Sequence, residues 1–473
     1  MKQHETFIFD SCAFDPKAGK IELRYALDNE THFTETLLLP PQGEPYALRP
    51  CPERSRRATP YALQTLHFIA GISYYKTCCP KKIEIRAGSL TKEQADFWNT
   101  VYTKGLGEFF FRNQIDFHGL INFPSTNAPS PIPSPATGEG RRGGGHRLLV
   151  PIGGGKDSTV TAELLKKAGY DVTLLRIGAH PLIRECAEVA GLPLLTVERK
   201  LSPELFALNE EGALNGHVPI TAYLSFLAVL LAEMDGFDAV VMSNERSASE
   251  GNVSYLGEAI NHQWSKSLEA EQMLRQYLAG IGSPVQYFSL LRPLSELHIT
   301  KIFTGFPAYF PCTTSCNKNW KLAAASSPSL SRATERSEGV EGGKEYRGEG
   351  NRWCGNCPKC AFAFAMFAAF LTKDALLRIF GKDLFDERSL QPVFRQLLGL
   401  EGFKPFECVG TPEETQAAFL LAHERGDLEQ SKAMKLFIEE VLPGIKQPKV
   451  LIEEAMKPSS DHCIPKTFAA LLP

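Results

Sequence analysis

A doubly wound α/β fold with a parallel sheet of five strands is predicted for the middle of this chain by three observations. Short apolar runs alternate with helical stretches over residues 147–310, the spacing of strand–helix–strand units. The first run ends in a glycine triplet, Gly153-Gly154-Gly155, that opens a helix. Polar clusters follow the later runs, and parallel sheets bind ligands at the carboxyl ends of their strands.

The elements are predicted in order. Residues 147–152 form the first strand, and 158–168 have helical spacing that stops before Gly169. Residues 172–177 form the second strand, with a helix to Ala190, and 193–197 the third. A long apolar helix covers 216–234, the fourth strand 239–242 and the fifth 285–289. Upstream, residues 1–123 are expected to form an α+β domain. The alternation Ile21-Glu22-Leu23-Arg24-Tyr25 is a strand signal, helical stretches cover 61–75 and 91–113, and no catalytic signature is present. Residues 311–473 hold a cysteine cluster and several helices; the one at 361–371 has little polar face and is expected to be buried.

Low-complexity segments separate these units. Residues 124–146, rich in Pro, Ser and Gly, read as a linker, and 323–350 as an insertion, with 52–60 a shorter piece in the same style. The words Glu53-Arg54-Ser55 and Arg57-Ala58-Thr59 recur as Glu335-Arg336-Ser337 and Arg332-Ala333-Thr334. All three are expected to be looped out and functionally idle, against the competing reading of a regulatory or partner segment.

The chain has 473 residues, 51 Lys+Arg against 54 Asp+Glu and 43% apolar residues. The near balance of charge disfavours broad nucleic-acid or anionic-membrane binding. Twelve cysteines are too few for a disulfide scaffold. No basic region followed by an apolar core stands at the N-terminus, and no apolar run is long enough to span a bilayer. A cytoplasmic, reducing setting is expected, in which clustered cysteines point to metal or catalysis.

Gly153, Gly154, Gly155, Lys156, Asp157 and Ser158 lie between a strand and a helix. Glycines let the backbone approach an anion, and the helix N-terminus supplies N–H donors. Lys156 adds positive charge, Asp157 is the candidate magnesium ligand, and Ser158 is a phosphate donor or a helix cap. The spacing fits neither the P-loop nor the dinucleotide fingerprint. Asn215 and His217 open the long helix; Asn244, Glu245 and Arg246 follow the fourth strand; His262 and Lys266 precede another helix; Arg292 follows the fifth strand. These groups are expected to face the glycine loop, with His217 or His262 as the candidate general acid or base. Cys354, Cys357 and Cys360 form a C-x₂-C-x₂-C run, and Cys316 offers a fourth thiolate. A tetrahedral structural zinc suits such a set; an iron–sulfur cluster or unligated thiols remain open at this stage. Cys312 is a spare candidate ligand.

The loop Gly153 to Ser158 resembles that of the N-type (PP-loop) ATP pyrophosphatases, whose sheet is HUP-like, with Gly153 where that superfamily has serine. Pro293-Leu294, followed by Lys301 and Ile302, adds a weaker likeness. Some nucleotide-modifying members carry a similar cysteine knuckle. Longer words resemble the bacterial UDP-N-acetylmuramoyl-L-alanyl-L-glutamate epimerases: Asn215-Gly-His-Val-Pro219, Asn244-Glu-Arg-Ser-Ala-Ser249, Asn261-His-Gln-Trp-Ser-Lys-Ser267, Arg352-Trp-Cys-Gly-Asn-Cys-Pro-Lys-Cys360 and Lys404-Pro-Phe-Glu-Cys-Val-Gly410. Ser289-Leu-Leu-Arg-Pro293 and Gly71-Ile-Ser-Tyr-Tyr-Lys76 extend the likeness. The resemblance implies an isomerase of peptidoglycan precursor synthesis. Such an enzyme uses ATP and Mg²⁺ to adenylate a carboxylate, inverts the terminal L-glutamate, and releases AMP and diphosphate. It implies no pyridoxal phosphate, a small-molecule nucleotide-sugar substrate, and no nucleic-acid or membrane partner. Asn215, Asn244, Arg246, Arg292 and Lys404 become candidate substrate contacts, and Glu245, Lys266 and Cys408 join His217 and His262 as candidate proton carriers. The alternative is a PP-loop pyrophosphatase that modifies a nucleobase or tRNA. Oligomeric state is not legible in the sequence.

Overall fold

The computed structural model describes residues 4–40, 59–126, 146–316 and 352–472. The readings at 52–58, 127–145 and 323–350 lie outside the described residues. Eleven strands are described. They are β1 (Thr6–Asp15), β2 (Lys20–Leu27), β3 (Thr31–Leu38), β4 (Lys82–Ile85), β5 (Arg147–Pro151), β6 (Asp171–Ile177), β7 (Leu194–Lys200), β8 (Ala239–Met242), β9 (Val253–Tyr255), β10 (Glu258–Ile260) and β11 (Gln286–Ser289).

The five strands expected in the middle of the chain are β5, β6, β7, β8 and β11, and each neighbouring pair runs parallel. Their order is β11-β8-β5-β6-β7. The chain leaves β5 toward β6 on one side, and β8 fills the other side. The carboxyl end of β5 is therefore a topological switch point, where doubly wound sheets bind ligands. Alternate residues of β5 enter opposite cores: Leu149 packs in one, Leu148 and Val150 in the other. Both faces are covered, which is why these strands read as continuous apolar runs.

The N-terminal strands extend this same sheet. β1, β2 and β3 form an antiparallel meander, β4 adds parallel to β1, and β3 pairs antiparallel with β7. The result is a nine-stranded sheet. At the junction Glu35 of β3 is fully buried. Arg199 of β7 donates to its two oxygens at 2.8 and 3.0 Å. The Tyr223 and Tyr74 hydroxyls donate to the same oxygens at 2.8 and 3.0 Å. The buried charge is thus fully satisfied, as burial requires.

Helices α1 (Thr59–Tyr75), α2 (Lys92–Gly105) and α3 (Gly107–Asn113) follow the meander. The single helical stretch expected at 91–113 is divided at Leu106, whose φ/ψ of −95°/9° breaks it. A capping box at Thr91 starts α2. The central helices are α4 (Lys156–Lys167), α5 (Pro181–Ala190), α6 (Pro203–Glu210), α7 (Ile220–Asp235), α8 (Leu268–Gly280) and α9 (Glu296–Thr304). The helix α7 starts later than the apolar pattern predicts, because Pro219 precedes it and holds residues 215–219 as a loop. In the C-terminal part, α10 (Pro358–Ala368) is buried almost throughout, as expected. It packs with α11 (Lys373–Phe380), α12 (Gln391–Leu397) and α13 (Pro412–Arg425). Among the described residues no helix is long and apolar enough to cross a membrane.

Glu35→Ala is expected to lower the unfolding free energy by about 3–5 kcal/mol, because it strands the Arg199 guanidinium in the core. Denaturant unfolding followed by far-UV circular dichroism checks this; a loss near zero would mean that the junction is held by its ladder alone.

Candidate active site

The glycine loop turns from β5 into α4 at the switch point. Gly154 takes φ 72°, a left-handed conformation that favours glycine. A side chain at Gly153 would meet nothing within 4 Å, and one at Gly155 only the Thr314 carbonyl at 3.9 Å. Among the described residues no side chain caps the N-terminus of α4. Open space over free backbone donors is the environment a phosphate requires. At the end of β8 the buried Ser243 hydroxyl also lacks a protein partner among the described residues.

Lys156 does not extend into solvent. Its ammonium is buried and pairs with Asp157 and with Glu296 at the start of α9. Lys359 of α10 approaches the other oxygen of Glu296 at 3.6 Å. Burial alone would raise the Glu296 carboxyl, but Lys156 and Lys359 hold it down at about 2. Glu245 is buried close by, and burial together with the Glu296 charge pushes its carboxyl up. One carboxylate of this group is kept ionised and the next is biased toward its protonated form, a separation that suits acid–base work.

Beyond Glu245 runs a second line of polar groups. Lys266 Nζ lies 3.2 Å from Cys408 Sγ. His262 stands near the same sulfur, and its Nδ1 pairs with Glu108 of α3. Arg112 donates to the other Glu108 oxygen at 2.5 Å. His217 stacks near His262 with ring centres 4.5 Å apart, and its Nδ1 is 3.7 Å from Glu108. Asn252 fixes the arrangement: its Oδ1 accepts the His262 backbone N–H at 2.8 Å and its Nδ2 donates to the Pro405 carbonyl at 2.9 Å. The segments carrying His262 and Cys408 are thereby tied together. Gly216 has φ 154°, and a side chain there would meet Phe109 at 3.2 Å, so glycine lets the His217 loop approach α3.

These contacts set the protonation states. Burial pushes the His217 imidazole down to about 3, and the neighbouring His262 adds to the shift. Burial would lower His262 too, but Cys408 and Glu108 beside it hold it up at about 9. Burial would raise the Cys408 thiol, yet Lys266 and His262 bring it down to about 7. Between those values the sulfur is a thiolate beside an imidazolium. The ligand atoms of Glu108, His217 and His262 lie within 4.8 Å of one another, but the Arg112 guanidinium on the same carboxylate opposes a divalent ion there.

The remaining candidates stand elsewhere. Arg292 is 1% exposed and binds Glu271 at 2.9 Å, the Glu245 carbonyl at 2.6 Å and the Lys266 carbonyl at 2.5 Å. In this arrangement it anchors the backbone of two candidate residues. Asn244 donates to Ser289 Oγ at 3.0 Å, Asn215 accepts from Lys76 at 2.7 Å, and Lys404 lies 3.4 Å from the Glu250 carbonyl. Arg246 donates to the Lys457 carbonyl at 2.9 Å and lines a separate cavity of about 890 Å³ with Lys104, His118 and Trp264. Glu108, Glu296 and Lys359 were not among the sequence candidates. The available signal for Glu108 was one acid in an otherwise aromatic helix, Gly107-Glu-Phe-Phe-Phe111.

Cys316, Cys354, Cys357 and Cys360 come together, with sulfur separations of 4.0 Å (316–357), 3.6 Å (354–360) and 3.4 Å (357–360). A tetrahedron with Zn–S bonds of about 2.3 Å has edges of about 3.8 Å, so the four thiols fit zinc. Gly355 makes the turn between ligands at φ 64°, and Cys357 caps α10 by accepting the Cys360 N–H at 3.4 Å. Cys312 stands apart from this set and faces Cys186 at 3.5 Å.

A glycine loop at the switch point of a parallel sheet, with a four-cysteine cluster in the helices beside it, defines an α/β protein of the PP-loop type. A distant likeness agrees: the 7-cyano-7-deazaguanine synthase of Sulfolobus acidocaldarius is 25% identical over 48% of this chain and 47% of its own length. Much stronger matches narrow the class. Family profiles described as the MurL N-terminal domain and the MurL C-terminal domain match residues 1–290 and 343–450. The UDP-N-acetyl-alpha-D-muramoyl-L-alanyl-L-glutamate epimerase of Xanthomonas oryzae pv. oryzae is 40% identical, over 98% of this chain and 96% of the relative. The protein of the same name from Salinispora tropica is 39% identical, over 93% and 90%. The chain belongs to this epimerase family.

Proposed function

We propose that this chain inverts the terminal L-glutamate of UDP-N-acetylmuramoyl-L-alanyl-L-glutamate, using ATP and Mg²⁺ and releasing AMP and diphosphate. The observation that carries the reading is the uncapped glycine loop at the switch point, in a chain whose near full-length relatives bear the epimerase name. An α-proton beside a carboxylate is scarcely acidic, because its loss would place a second negative charge next to the first. Attack of the carboxylate on the α-phosphorus of ATP expels diphosphate and leaves a mixed anhydride. The carboxyl group is then no longer anionic, and the α-proton can be removed to an enolate stabilised by nearby cations. A proton returns on the other face, and water cleaves the anhydride to the D-epimer and AMP.

The residues divide this work. The backbone of residues 153–155 and the first turn of α4 hold phosphates, with Ser158 beside them. Asp157 is the side chain placed to hold Mg²⁺, which when bound screens phosphate charge. Lys156 and Lys266 supply positive charge to a substrate carboxylate and its enolate. His217, neutral in this pH range, Glu245 and His262 stand where protons are exchanged. The four-cysteine cluster holds a structural zinc that fixes the start of α10, and so Lys359, against Glu296.

Asp157→Ala is expected to abolish epimerisation while the unfolding midpoint stays close to wild type. Chromatography of the nucleotide products is expected to give AMP and diphosphate, and stoichiometric ADP would defeat the adenylation reading. Metal analysis is expected to give about one zinc per chain, lost in Cys357→Ser together with stability, since metal binding contributes to folding. Protein free of metal after both aerobic and anaerobic preparation would remove the zinc assignment.

A further inference from the structure

We infer that Cys408 is the residue that takes the α-proton on one face of the glutamyl carbon, with Glu108 and His262 positioning it and Lys266 beside it. The inference rests on the epimerase reading and deepens it. Two segments of the chain build the setting of one sulfur: Lys266 lies 3.2 Å from it with His262 close by, and behind His262 stands Glu108, held by Arg112 at 2.5 Å. The main chain is held as well, since Lys359 donates to the Cys408 carbonyl.

Among the other described thiols outside the zinc set, burial pushes Cys12, Cys78 and Cys79 up, to about 11, 11 and 12, and Cys312 is lowered chiefly by its hydrogen bond with the Cys186 thiol, not by a lysine beside it. Cys408 is half-buried.

The step balances. The thiolate takes the proton and becomes a thiol, and the C–H electron pair stays with the substrate as an enolate over the adenylated carboxyl. Lys266 stabilises the charge that leaves the sulfur. The opposite face receives its proton from a second donor, for which Glu245, also interacting with Lys266, is biased toward its protonated form. The groups facing the sulfur are His262, Lys266, Lys359 and Lys404, all cationic or able to become so. The active form is the thiolate, so turnover should rise as pH passes upward through about 7.

The test compares wild type with Cys408→Ala in D₂O, reading deuterium at the α-carbon by mass spectrometry and adenylation by ATP–pyrophosphate exchange. Loss of deuterium incorporation by about 10²–10⁴-fold, the usual contribution of a positioned base, with pyrophosphate exchange persisting, is the expected result. Deuterium incorporation by Cys408→Ala near the wild-type rate overturns the assignment, as does joint loss of both reactions in a folded, zinc-loaded variant. Should the alanine variant not fold, Cys408→Ser preserves the shape, and the same split is expected of it. Glu108→Gln is expected to move the rising pH limb upward, since a neutral amide supports the imidazolium–thiolate pair less well; a purely structural Glu108 would leave the limb in place. A wild-type protein that shows Cys408-dependent deuterium incorporation without pyrophosphate exchange would defeat adenylation and leave the cysteine assignment standing.

Discussion

Glu296 carries a negative charge where water does not reach it, with its side chain 1% exposed. Such a charge is tolerated only when cations are held against it. Here the cations come from two distant parts of the chain: Lys156 opens α4 after the glycine loop, and Lys359 lies between two cysteines at the start of α10. The requirement to neutralise one carboxylate therefore fixes the glycine loop, α9 and the cysteine cluster relative to one another. The second contact of Lys359, to the Cys408 carbonyl, carries the same constraint to the loop at 404–410. A change in the cysteine cluster is thus mechanically connected to Cys408 and to the glycine loop.

Backbone anchoring has the same logic on the other side of the site. Arg292 spends its donors on Glu271 and on the carbonyls of residues 245 and 266. Asn252 joins the His262 and Pro405 segments. The strand-end loops are long and irregular, and such loops hold side chains in place only where their own polar groups are tied. Buried arginine and asparagine do here what a regular ladder does elsewhere.

How much of this was legible in the sequence depended on which force wrote the pattern. The five parallel strands were readable because each has an apolar centre, with β8 buried throughout and β5 buried after its first residue. The start of α4 was readable from its glycines, and the cysteine set from its spacing. β1 and β3 were not identified. β1 shifts register between Phe9 and Ser11, which breaks the two-residue period, and β3 places Glu35 at a core position, where the alternation should show an apolar residue. Glu108 and Glu296 escaped for the same reason. A buried acid is recognisable only through its partners, and Lys156 for Glu296 and His262 for Glu108 lie more than a hundred residues away in sequence. Arg292 is marked as a ligand contact by its position after a strand; in the structure it ties Glu271 and two carbonyls and also lines the cavity that Arg246 lines.

The pairing of β3 with β7 also has a consequence for how the chain is made. More than 150 residues separate the end of β3 from the start of β7. At ribosomal rates of about 5–20 residues per second, β3 emerges roughly 8–30 s before the strand that covers it. During that interval the meander has an open edge, and Glu35 lacks the arginine that neutralises it. An unpaired edge is a template for adding a foreign strand, whereas a charge at its centre makes such addition unfavourable until Arg199 arrives. The residue that secures the finished junction thereby guards the unfinished one, and the nascent chain is protected from association by the same carboxylate that later closes its sheet.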